Sequence, residues 1–162
     1  MDPALVESYA VNERMNQLVI EHLDPAAWGA QLPGAKGRTI AAIFCHVHNI
    51  RRKWLRLSAP HLPLPAPLHR LRCTPEQTAT ALAESAARCC QMLEQVTAFQ
   101  RDGWSKPWAA GPDMAAYMIA HDAHHRGQVC MLAHQLGVPL PAKCTSAMWA
   151  WEKLRKSVPI RR

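Results

Sequence analysis

The sequence predicts an all-α protein: an up-and-down four-helix bundle with a short C-terminal helix. Three observations carry this. Apolar residues recur at spacings of three and four through four long segments, proline- and glycine-containing stretches separate those segments, and alternating strand patterns are nearly absent. At 162 residues the chain is long enough to bury a real core and is expected to form a single domain over residues 1–162.

The first helix starts near Pro3, carries Leu5, Tyr9, Met15, Leu18, Val19 and Leu23, and is ended by Asp24-Pro25. After the connection AAWGAQLPGAKGR, a second helix runs from about Thr39 to Ser58. The proline-dense stretch PHLPLPAPLHRLR stops it, because proline has no N–H to donate and clashes with the preceding turn. The third helix has the clearest start. Thr74-Pro75-Glu76-Gln77 combines a threonine cap, proline at the first helical position and a glutamine placed to close a capping box. Ala79, Leu82, Ala86, Cys89, Leu93 and Val96 then form a seam for near-antiparallel neighbours. A fourth helix spans about Pro112 to Leu136, with Gly137 as its stop. The segment SAMWAWEKLRK supplies the short last helix, with Trp149 and Trp151.

Composition excludes several classes. No apolar run reaches the roughly 18 residues that a membrane span needs. The N-terminus lacks the basic start and apolar stretch of a secretory signal, so a cytoplasmic location is expected. The six cysteines contain no C-x-x-C pair and read as free thiols, with Cys73 and Cys144 in or near loops. A net charge of +7 gathers at Arg51, Arg52, Lys53 and Arg56, at His69 to Arg72, and in the tail from Lys153 to Arg162. Without a nucleic-acid motif beside them these clusters read as solvated surface, and nucleic acid is not an expected partner.

The fourth helix raises the chemical question, in HDAHHRGQVCMLAHQLG. At about 100° per residue, His121 and His125 share a face with Met114, Met118, Gln128, Leu132 and Leu136. That face reads as the buried one. His124 lies toward its edge, while His134 and Asp122 point away. In FCHVHNIRRKWL of the second helix, His46 shares a stripe with Ile43, Val47, Ile50 and Leu57, whereas His48 projects nearly opposite beside Arg51 and Arg52. His48 keeps the choice locally ambiguous, and orientation selects His46. If the two helices are neighbours, His46, His121 and His125 converge as neutral imidazoles. Three such ligands leave a position open on an ion, which is the catalytic rather than the closed structural arrangement. Gln128 is a candidate ligand contact or buried hydrogen-bond partner, His124 a candidate neighbour of the site, and Asn49 a candidate partner for the His46 ring. The glutamate of an HExxH site is missing.

These motifs resemble those of the DinB-like proteins, also called DinB/YfiT-like metalloenzymes. His46 eight residues before Trp54 is similar to their first histidine motif, and His121 to Gln128 to their H-x-x-x-H-R-G-Q motif. The likeness continues through LGVPLP to the closing tryptophans and covers most of the chain. It implies a bundle of that type, commonly a homodimer, with a divalent ion (zinc, nickel or iron) on His46, His121 and His125. Members with assigned activities are transferases and isomerases that use low-molecular-weight thiols such as mycothiol or bacillithiol. The family name records induction by DNA damage and does not imply DNA binding. The expected function is therefore metal-dependent S-transfer or isomerisation of a small-molecule substrate. A metal-dependent hydrolase and a non-enzymatic, metal-binding stress-response module are the alternatives. Arg51, Arg52 and Arg126 are candidates for an anionic substrate but are expected instead to form surface or interhelix ion pairs.

Overall fold

The first three long helices each begin where the sequence supplies a cap. The computed structural model describes residues 1–34 and 36–158. In α1 (Pro3–His22) the Asp2 carboxylate accepts from the Ala4 N–H. In α2 (Ile40–Ser58) the Thr39 hydroxyl accepts from Ala42. In α3 (Pro75–Gln95) the Thr74–Gln77 capping box is complete. A two-residue ribbon, β1 (Ala98–Phe99) with antiparallel β2 (Ala109–Ala110), leads into α4 (Gly111–Gln135). Gly137, at φ 80°, ends α4 in the left-handed conformation that glycine adopts without strain. The C-terminal piece is two helices, α5 (Ala142–Trp149) and α6 (Trp151–Ser157), broken at Ala150 where ψ is 59°. Of the basic tail, Arg161 and Arg162 lie outside the described residues.

The chain is an all-α bundle, with α1 and α2 each packed between α3 and α4. Contacts give the directions. Asn12 meets Asp122 and Asn16 meets Arg126, so α1 and α4 run parallel. Trp54 meets Tyr117 and His46 meets His125, so α2 and α4 run antiparallel. Ala41 lies by Cys73 and His61 by Gln95, so α2 and α3 run parallel. The order is up, down, down, up, and parallel neighbours require a long return connection. The proline-dense segment 59–74 is that return. It runs back along α2, where Pro65 accepts from Arg52, Ala66 pairs with the His48 ring and Leu68 accepts from Cys45.

Two apolar clusters fill the bundle, one around Trp28, Ile40 and Phe44, the other around Tyr9, Trp54, Leu93 and Met114. A third, of Val11, Met15, Leu18, Cys144 and Leu154, lies between α1 and the C-terminal helices. Cys73 and Cys144, placed by the sequence in or near loops, are buried in this packing. Among the described residues no helix is long and apolar enough to cross a membrane.

Candidate metal centre

Two antiparallel helices carry the site on facing rows. His46 and Trp54 stand along α2, and Tyr117, His121, His125 and Gln128 along α4. The ring centroids of His46 lie 5.3 Å from His121 and 4.7 Å from His125, and the two α4 rings are 4.5 Å apart. One nitrogen from each ring lies within 4.8 Å of the others. Small ring rotations reduce this to what metal–nitrogen bonds of about 2.0–2.1 Å require. The three histidines selected on helical geometry are thus the three brought together.

Their protonation suits ligation. Burial, then the Arg38 guanidinium and the two neighbouring imidazoles, lower the His46 pKa to about 4. Burial also lowers His125. Both rings are neutral at neutral pH, as metal ligands must be. Gln128 Oε1 lies 2.8 Å from His125 Nδ1. A carbonyl oxygen only accepts, so the proton sits on Nδ1 and Nε2 is left for an ion. The Gln128 amide nitrogen lies 3.1 Å from the Nε2 of exposed His124, which places His124 in contact with Gln128 and outside the ligand trio.

Four expectations need correction. The buried face of α4 is turned by roughly 50° from the predicted stripe. It is Gly111, Met114, Ala115, Met118, Asp122, His125, Val129 and Ala133, so His121 and Gln128 flank the core and look into the α2–α4 groove. Asp122, expected to point away, is buried: Oδ2 pairs with Arg51 and accepts from Asn12. Arg51 is 1% exposed, donates to Glu13 at 2.6 Å and to the Leu82 carbonyl at 3.0 Å, and is no surface cation. Burial raises the Asp122 carboxyl pKa, but the Arg51 guanidinium outweighs it and holds the group below its ordinary value. Counting Arg51 in a solvated basic cluster missed its burial, although an interhelix ion pair is one of the two forms expected of it. Asn49, finally, donates to Cys45 Sγ at 3.3 Å instead of to the His46 ring.

His48 does project opposite His46, but it is fully buried, with Nδ1 3.1 Å from Ser85 Oγ and Nε2 2.8 Å from the Ala66 carbonyl. Both nitrogens are occupied, which removes it as a ligand. Arg126 donates to Asn12 and Asn16 and Arg52 to Pro65, so neither faces the site.

The donor set fits a divalent ion. Among the described residues no carboxylate joins the trio. The nearest, Asp122 Oδ1, is 3.7 Å from His121 Nδ1 and belongs to the Arg51 ion pair. On the far side of His121 an aromatic wall closes the groove. Tyr117 stands edge-on to Trp54 and to Trp108, and the two indoles stack with centroids 5.0 Å apart.

The DinB family model matches residues 2–153 of the chain. No curated protein matches it.

Proposed function

The chain belongs to the DinB family, and from that membership we propose a divalent-metal-dependent enzyme that activates a low-molecular-weight thiol for S-transfer or isomerisation. The carrying observation is a trio of imidazoles, one nitrogen of each within 4.8 Å of the others, that no carboxylate joins among the described residues. A divalent ion bound there supplies Lewis acidity, lowering the pKa of a thiol or a water. Water, with a pKa of about 15.7, benefits from a neighbouring base, whereas a thiol at about 8.5 needs far less help. Gln128 cannot take a proton, and Asp122 is committed to Arg51. The surroundings therefore favour the thiol over the hydrolase. Gln128 fixes the His125 tautomer, His46 and His125 stay neutral, and the Trp54–Trp108–Tyr117 wall keeps one side of the groove apolar.

Metal analysis of the purified protein and its His46→Ala, His121→Ala and His125→Ala variants tests the centre. The parent should hold one equivalent, and each variant should lose at least about tenfold in affinity, as the loss of a direct ligand exceeds that of an outer partner. Undiminished content in all three would overturn it. Turnover of a dinitrophenyl electrophile by the loaded protein should require added thiol; turnover indifferent to thiol selects the hydrolase.

A further inference from the structure

A cavity of about 280 Å³ is lined by Arg38, Ile43, Gln128 and Leu132. Gln128 ties this space to the centre, because its carbonyl is the partner of the His125 ring. Arg38 stands just before α2, at the mouth of the same groove, and is exposed. Among the described residues no carboxylate pairs with it, whereas Arg14, Arg51 and Arg155 each have one.

Such a placement works against a resting cationic centre. A guanidinium near a divalent ion raises the energy of both, and no protein anion offsets it. An anionic ligand that bridges the two reverses the sign. The remaining lining suits a small organic body, with Ile43 and Leu132 apolar and Gln128 polar. We propose that this cavity is a subsite for a carboxylate group of the thiol or substrate, with Arg38 as its anchor. The assignment rests on the metal-centre reading above. It gives the ligand class as a small carboxylic acid, thiol or substrate, and it makes Arg38, not Arg51, Arg52 or Arg126, the arginine that faces the ligand.

The test uses full-length protein loaded with cobalt(II), whose visible absorption reports occupancy of the histidine centre before any ligand is added. Mercaptoacetate, glycolate and neutral 2-mercaptoethanol are titrated against the parent, Arg38→Gln, Arg38→Lys and, as a distant charge control, Arg101→Gln. Mercaptoacetate should bind the parent about tenfold more tightly than 2-mercaptoethanol, the size of a charge-assisted hydrogen bond. Arg38→Gln should erase that preference with cobalt loading intact, Arg38→Lys should keep part of it, and Arg101→Gln should keep all of it. Arg38-dependent binding of glycolate as well would place the carboxylate on the substrate; dependence with mercaptoacetate alone would place it on the thiol. An equal preference in Arg38→Gln overturns the subsite while leaving the centre standing. A protein that takes up no cobalt overturns the centre itself.

Discussion

Arg51 shows how one residue can be misplaced by its neighbours in sequence and positioned by its neighbours in space. It lies in a basic run, IRRKW, yet it alone of that run is 1% exposed, held by Glu13 of α1 and Asp122 of α4. Removing one partner of a buried ion pair leaves an uncompensated charge, at a cost of about 3–5 kcal/mol. Arg51→Met is expected to lower the unfolding free energy by that amount at neutral pH, read from urea denaturation. The pH dependence carries a definite sign. In the parent the Asp122 carboxyl is held below its ordinary value, so its stabilisation is present at neutral pH and lost as pH falls through the folded value. Without the guanidinium, burial pushes the same carboxyl up, so the variant should recover part of its deficit on acidification toward pH ~5. A deficit that stays constant between neutral pH and pH ~5 would show that the carboxylates are not what Arg51 neutralises.

At the scale of elements, helix starts and apolar seams were readable, whereas a face was readable only where apolar residues mark most of it. The α3 seam of Leu82, Ala86, Cys89 and Leu93 is buried as its spacing predicts. Thr74→Ala removes the hydroxyl that accepts from Gln77, and thermal or chemical unfolding should report a loss of about 1 kcal/mol. A loss below a few tenths would mean that the Pro75 start and tertiary packing hold this end unaided. Helix α4 behaves differently although α1 and α2 pack on it as they do on α3. Its buried arc is wider than one stripe, and apolar residues mark only part of it; the rest is marked by Asp122, whose polarity disguises its burial. The histidine pair survived this error because residues four apart share a face whichever way the helix is turned.

Across the whole molecule, the two sides of the bundle have separate tasks. The α2–α4 groove carries the histidines, Arg38 and the aromatic wall, while α1 is covered on its outer side by α5 and α6. Leu154→Ala opens the outer cluster, from a side chain 6% exposed, and should cost about 2–4 kcal/mol of stability. Metal content should stay at the parent level, since the site lies on other helices. Metal loss in Leu154→Ala without global unfolding would show that the two sides are coupled. The return of segment 59–74 along α2 also belongs to this scale. It covers His48, occupying a ring that sequence alone left as a rival to His46.

What the sequence by itself determined is local. Capping residues, proline and glycine stops and helical spacing mark out four long helices, and the i, i+4 histidines with His46 on its stripe name the three rings that come together. Only the tertiary structure decided the order of the helices, the burial of Arg51 with Asp122, and the approach of Arg38 to the groove. The physical reason is range. Backbone hydrogen bonding and side-chain periodicity act within a few residues, so each segment records them. A buried charge is stabilised by a partner as far as 71 residues away along the chain, and neither residue records it alone.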